Sequence, residues 1–243
     1  MTKPKTALIT GAALRVGRAL ALSLAGAGWD IALHYSSSEK PARELAKVIT
    51  GMGRKVHLAQ ADLRDLSAVA CVIPSLAQQN VALDCLINNA AAFDKDALAT
   101  LDPDKFHAQM DTNLVAPLLL IRDFAAHYKG EDGNIINLTD GLAGWSMSST
   151  FLSYSLSKLG LTHATRMLAL ELAPRIRVNA IAPGATLASK HDTKETFAKL
   201  KEIIPLKRVS SPEEVCIAMQ FLLSSPSVTG QILSLSGGLN PSA

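Results

Sequence analysis

Cysteine is scarce in this chain, and none of it is spaced for chemistry. Cys71, Cys85 and Cys216 lie far apart, form no Cys-x-x-Cys pair and, being odd in number, cannot close into a fully paired disulfide framework. All three sit in apolar-periodic segments, which predicts buried thiols, and no metal site is expected. Long apolar runs are missing too. No segment approaches the ~18 uninterrupted apolar residues of a membrane-spanning helix. The N-terminal MTKPKTALIT has no apolar run of signal-peptide length, so a cytoplasmic protein that does not enter a membrane is expected. Charge is nearly balanced, with 24 Lys and Arg against 21 Asp and Glu leaving +3. The basic residues are dispersed rather than gathered in a stripe, which argues against a nucleic-acid partner. Internal repeats, low-complexity tracts and linker-like breaks in composition are absent. With 48% apolar residues, positions 1–243 are therefore expected to form a single domain with a large core, rather than two of about 120 residues.

What is present is a regular alternation. Short β-branched and aliphatic runs at 6–10, 30–35, 55–60, 83–87, 134–138, 177–181 and 231–235 predict strands. Between them, helical patterns run from Arg15 through LALSLAGAG and over 41–52, 66–79, 104–128 and 154–172. A last helix runs to Leu223, opened by an N-cap Ser211, a first-turn Pro212 and a capping-box Glu214. Pro117 inside the 104–128 pattern predicts a local irregularity. Strand and helix in alternation require a parallel sheet covered on both faces, so the fold class is α/β, a Rossmann-like doubly wound sheet. Ligands of such sheets bind at the carboxyl ends of the strands, where Gly11, Asn89, Asp140 and Gly184 all fall.

The chemistry is expected in NLTDGLAGWSMSSTFLSYSLSK, residues 137–158. Tyr154 and Lys158 are four apart, so on a helix both rise from one face. A free phenol is a poor acid near neutrality, and an adjacent ammonium favours the phenolate. Tyr154 would thus be a proton donor and Lys158 its tuner. At the other end, the strand at 6–10 runs straight into Gly11 and a helix, a turn that aims backbone N–H groups and a helix dipole at one spot and suits a pyrophosphate. The second strand ends without the acidic residue that would take ribose hydroxyls. It leads instead into His34, Tyr35, Ser36, Ser37, Ser38, Glu39 and Lys40, which favours NADPH because no carboxylate there repels a 2′-phosphate; serines are also ordinary in turns.

With these motifs in this order, the chain resembles the short-chain dehydrogenase/reductase family over nearly its whole length. The family pattern Thr-Gly-x-x-x-Gly-x-Gly is met by TGAALRVG, which keeps Thr10, Gly11 and Gly17 and puts Arg15 where the middle glycine stands. That replacement resembles the pteridine-reductase branch, and a guanidinium there suits phosphate; the alternative is a lone surface arginine. The resemblance implies that Gly11, Arg15, Val16, Gly17, His34, Tyr35, Ser36, Ser37, Asp62, Leu63, Asn89, Ala90, Ala91, Tyr154, Lys158, Pro183 and Gly184 bind the cofactor. Asp62 would lie beside the adenine, and Pro183 with Gly184 near the nicotinamide amide. It implies a catalytic set of Asp140, Tyr154, Lys158 and Asn113, the last kinking its helix and holding a water on the lysine.

Phe93, in NNAAAF, is either a core aromatic or, as in pteridine reductases, a platform on which a flat pterin stacks. Asp140 stands where most of the family has a serine, and an ionised carboxylate accepts hydrogen bonds but cannot donate one to a ketone oxygen. Pterins carry N–H donors, so Arg15, Phe93, Asp140 and Tyr154 are the expected substrate contacts. Asp140 and Tyr154 are fourteen apart, one more than is usual in the family, so the intervening loop must bulge or the carboxylate be displaced. Trp145 and Met147 in that loop either line the pocket or pack it. The polar stretch 185–203 reads as a substrate lid. The expected activity is NADPH-dependent reduction of a dihydropterin or dihydrofolate by a homotetramer paired through its long helices. The alternatives are a carbonyl reductase such as a 3-oxoacyl thioester reductase, and a nucleotide-sensing regulator without turnover. Asn113, Tyr154 and Lys158 together argue against the sensor, which needs no proton relay.

Overall fold

The computed structural model describes residues 3–142 and 150–239, so Trp145 and Met147 lie outside the described residues. Seven strands, β1 (Thr6–Ile9), β2 (Asp30–Tyr35), β3 (Val56–Gln60), β4 (Cys85–Asn88), β5 (Gly133–Leu138), β6 (Ile176–Pro183) and β7 (Ile232–Leu235), pair in the order β3-β2-β1-β4-β5-β6-β7. Every pairing is parallel. Helices α1 (Arg15–Gly26), α2 (Glu39–Gly51) and α8 (Pro212–Ser224) cover one face, and α3 (Leu66–Gln78), α5 (Ala116–His127) and α6 (Leu152–Glu171) the other. The short helices α4 (Pro103–Met110) and α7 (Lys194–Ile203) complete the set among the described residues.

Strand periodicity divides the core. Ala7 and Ile9 of β1 pack with Leu20 and Leu24 of α1 and Met219 of α8, while Leu8 between them packs with Leu76 of α3 and Phe124 of α5. Cys85 and Ile87 of β4 follow the first pattern and Leu86 the second. This is the sandwich that the strand and helix alternation predicts. Two cysteines depart from the expected burial, Cys71 outright, because α3 buries Val69, Val72, Ile73 and Leu76 and leaves Cys71 on the solvent side of that helix. Cys216 is half-buried and only Cys85 is fully enclosed.

The chain reverses its winding between β1 and β4, which opens a crevice at their carboxyl ends. The irregularity predicted at 104–128 is a π-turn, Asp111–Val115, between α4 and α5. Pro117 has no N–H to offer the carbonyl of Asn113 four residues back, and the wider turn resolves that mismatch. The capping box forms as the sequence predicts, with Glu214 N–H donating to Ser211 Oγ at 3.3 Å and Ser211 N–H to Glu214 Oε2 at 3.1 Å.

The crevice floor is braced from behind by His34. Its ring, 1% exposed, accepts from the Gly11 N–H through Nδ1 at 3.2 Å and meets the Ala61 carbonyl through Nε2 at 3.1 Å. That pattern requires a neutral ring protonated on Nε2, and burial lowers the pKa to about 4. The unfolded chain binds this proton near the usual pH of ~6.5, so the stability His34 contributes is present above that pH and is lost as pH falls toward the folded value. Urea unfolding should show roughly 2 kcal/mol less stability at pH 5 than at pH 7 from this group, and His34→Gln should remove that part of the slope.

Candidate active site

The turn after β1 is built around close approaches. Gly11 has φ of +62°, and a Cβ on Gly17 would lie 2.2 Å from the Gly11 carbonyl oxygen, so no side chain fits at that position. Arg15 has φ of +54°, so the backbone keeps a glycine-like conformation although the residue is not glycine. Leu14 offers no side-chain cap to α1, whose first turn carries no acid, and its N–H groups are left for an anion. Asn89 braces the turn through Nδ2, which donates to the Thr10 carbonyl at 2.8 Å and the Gly11 carbonyl at 3.3 Å. The Thr10 hydroxyl in turn accepts from the Asn89 and Ala90 N–H groups at 2.9 and 3.0 Å. A nucleotide pyrophosphate fits this cradle.

Several residues expected to meet the cofactor are engaged by the protein itself. The His34 ring is sealed behind the Gly11 turn, and Tyr35 is buried in the core beside α1 and α2, so neither side chain faces the crevice. The alternation of β2, enclosed on both faces, turns them inward. Ser36 and Ser37, just beyond the strand, are exposed at its carboxyl end, while Glu39 is held by Arg43. Asp62 is clasped by Arg64, and Leu63 is buried under α3. Val16 is half-buried against the core and Ala91 is exposed. Pro183 accepts from the Gly141 N–H at 2.8 Å, and Gly184 N–H donates to Leu235 at 3.2 Å, so both sit where β6 and β7 end. The Arg15 guanidinium donates to the carbonyls of Leu187 and Ala188 at 3.2 and 3.0 Å, reaching across the crevice.

Asp140, Tyr154 and Lys158 are brought together where β5 ends and α6 begins, and Asn113, in the π-turn, is tied to that helix through Ser157. Tyr154 donates its phenol hydrogen to Asp140 Oδ2 at 2.7 Å, so the extra residue between them does not displace the carboxylate. Asp140 Oδ1 also accepts the Leu142 N–H at 2.6 Å. Lys158, 2% exposed, donates to the Leu138 carbonyl at 2.7 Å, with Nζ 5.9 Å from the centre of the tyrosine ring. Asn113 accepts from the Ala92 N–H at 2.8 Å and donates to the Ala92 carbonyl at 2.9 Å and Ser157 Oγ at 3.0 Å.

The electrostatics differ from the expected acidified phenol. Burial, and then the Asp140 carboxylate, hold the Tyr154 pKa well above its ordinary value. Burial lowers Lys158 to about 8, with Asp140 opposing the shift. A carboxylate in direct hydrogen bond outweighs an ammonium that does not touch the hydroxyl. At neutral pH the site therefore holds a protonated phenol donating to an acceptor.

Phe93 lies beside this group. Its ring stacks on Phe151 with centroids 4.5 Å apart and planes 7° from parallel, and meets Tyr154 edge-on at 4.6 Å. His191 closes the cluster, 5.7 Å from Phe93, with Nε2 3.1 Å from the Phe93 carbonyl, and Lys190 pairs with Asp94. Phe151, His191, Asp94 and Asp96 gave no signal in the sequence, because they meet the site only through tertiary contact. The stretch read as a polar lid is in part regular, since it contains α7.

Residues 11–240 match a family model described as enoyl-(acyl carrier protein) reductase. The FolM alternative dihydrofolate reductase 1 of Brucella canis, solved with NADP, superposes with a TM-score of 0.92 at 33% identity, covering 97% of this chain and 94% of that one. A short-chain dehydrogenase of Burkholderia cenocepacia, also solved with NADP, gives a TM-score of 0.91 at 30% identity over 97% and 98% of the two chains. A 3-oxoacyl-[acyl-carrier-protein] reductase of Synechocystis is 30% identical over 240 residues, 97% of this chain and 96% of its own. With the nucleotide turn, the buried lysine and the tyrosine on one wall of the crevice, these matches make the chain a member of the short-chain dehydrogenase/reductase family of NAD(P)-dependent oxidoreductases.

Proposed function

We propose that the chain is an NADPH-dependent reductase that takes a dihydropterin or dihydrofolate to its tetrahydro form. The observation that carries this reading is the 2.7 Å bond from Tyr154 to Asp140, which puts a carboxylate acceptor, not a hydroxyl donor, at the reacting end of the crevice. A ketone oxygen gains nothing from such a group, whereas a ring bearing N–H donors does. Phe93, edge-on to Tyr154 and backed on one face by Phe151, would offer a flat ring its other face for stacking. The FolM neighbours in Brucella support the same substrate class. The 3-oxoacyl thioester reading is favoured by relatives such as the Synechocystis enzyme, and Asp140 is the residue that separates the two.

The uncapped α1 N-terminus, Gly11, Gly17 and the exposed Ser36 and Ser37 would hold NADPH, with Tyr154, Lys158, Pro183 and Gly184 toward its nicotinamide end. When bound, NADPH supplies the hydride. Tyr154 gives its hydroxyl proton to the ring nitrogen, so that one C=N bond becomes CH–NH. Asp140 accepts from the substrate amine and fixes its orientation. The Lys158 ammonium then steadies the tyrosinate until solvent restores the proton.

An NADPH-oxidation screen against dihydrobiopterin, dihydromonapterin, dihydrofolate and acetoacetyl thioesters tests this reading. Pterin or folate turnover with NADPH favoured over NADH is expected, declining above about pH 8 as Lys158 deprotonates. Tyr154→Phe should lower kcat by ~10²–10⁴ with NADPH affinity nearly intact, and Asp140→Ser should abolish pterin reduction. Undiminished pterin turnover in Asp140→Ser would overturn the substrate assignment.

The assembly proposed is a homotetramer in the cytoplasm. Leu156, Leu159, Met167 and Leu170 form an exposed apolar stripe along α6, and Leu170 is 84% exposed. Ile217 and Phe221, one turn apart on α8, make a second such face. No described helix is long and apolar enough to cross a membrane. Light scattering at micromolar concentration should report four chains, and a Met167→Glu, Leu170→Glu double variant should give a smaller species. A monomeric wild type would refute the assignment.

A further inference from the structure

Helix α6 starts without a cap of its own, since Phe151 at the N-cap position makes no side-chain bond to the first turn. The leading N–H groups of a helix need acceptors. The acceptor here comes from far away in the chain. Asp96, 6% exposed, takes the Ser153 N–H on both carboxylate oxygens at 3.1 and 3.3 Å, and the Ser153 hydroxyl donates to the same carboxylate. The backbones repeat the tie. Asp96 N–H donates to the Thr150 carbonyl at 3.1 Å, and Leu152 N–H donates to the Asp96 carbonyl at 3.3 Å, a parallel bridge between Asp96 and Phe151.

The two segments joined in this way carry the two halves of the site. Phe93 lies three residues before Asp96, and Tyr154 directly follows the fully buried Ser153. Phe151, bridged to Asp96, is the residue whose ring stacks on Phe93. One carboxylate therefore fixes the entry of the tyrosine helix against the loop that presents the aromatic platform. We propose that Asp96 is a positioning residue for proton transfer, holding the first turn of α6 so that the Tyr154 hydroxyl is kept at Asp140 and beside the plane of Phe93. The inference rests on the reading of Tyr154 as proton donor. What the helix needs from position 96 is an acceptor in place, and an asparagine caps about as well as an aspartate.

Three variants test it, Asp96→Ala, Asp96→Asn and Asp96→Glu, with kcat and KM on whichever substrate the wild type turns over, NADPH Kd by fluorescence, and amide hydrogen exchange over 150–158. Asp96→Ala should lower kcat by ~10–100-fold, the scale of a misplacement near 1 Å. It should leave NADPH Kd within about twofold and speed exchange in the first turn of α6. Asp96→Asn should bring kcat back to within about threefold and restore the protection. Wild-type kcat or unchanged protection in Asp96→Ala would overturn the proposal, as would equal losses in Asp96→Ala and Asp96→Asn accompanied by weakened NADPH binding. If Asp96→Ala does not fold, Asp96→Glu decides: its longer stem moves the helix entry, so lower kcat at unchanged NADPH Kd supports the role and wild-type kcat refutes it. Tyr154→Phe in the same assay keeps the two readings apart, since full turnover there would remove the proton-donor assignment while the exchange data still judged Asp96.

Discussion

The amide of Asn113 ties the two walls of the crevice together. It is wholly buried, its oxygen takes the Ala92 N–H and its nitrogen reaches both the Ala92 carbonyl and Ser157 Oγ. Ala92 leads into Phe93, and Ser157 leads into Lys158. An aspartate could not donate the two bonds, and a leucine would take the partner from both the Ala92 N–H and the Ala92 carbonyl, at roughly 1–3 kcal/mol for each group left unsatisfied. The amide reaches both partners because the chain widens into the π-turn at Asp111–Val115, so a defect in helical regularity is what lets the site close.

With that frame fixed, burial governs the charges. Enclosure opposes the charged form of every group, which raises the phenol of Tyr154 and lowers the ammonium of Lys158. The two residues were expected to act on each other directly. In the resting site Asp140 acts on both, its carboxylate holding the tyrosine proton and partly sustaining the lysine charge. The resting site thus holds the proton on the tyrosine oxygen.

Much of this was legible in the sequence. The β-strands fall within about two residues of their predicted places, because continuous β-branched and aliphatic runs between turn signals have few other ways to be buried. The π-turn was foreshadowed by Pro117, and the start of α8 by Ser211, Pro212 and Glu214. The limits were also physical. Spacing along α3 could not say which side of the helix Cys71 occupies. His34 and Tyr35 were expected to meet the cofactor, yet both side chains are buried inside a strand covered on both faces. KETFAKLKEI is so polar that its helix did not stand out from the loop around it. Asp96, Phe151 and His191 reach the site only by long-range packing, which no local pattern encodes.

The bond from Lys158 to the Leu138 carbonyl has a thermodynamic side. A free lysine side chain explores many rotamers, worth about 2 kcal/mol of entropy. Here that freedom is surrendered when the chain folds, because the ammonium is already anchored to the end of β5. Ordering the lysine is then no part of what a ligand must overcome on arrival. The disorder has been moved out of the binding equilibrium and into the folding equilibrium, where the whole core shares the burden.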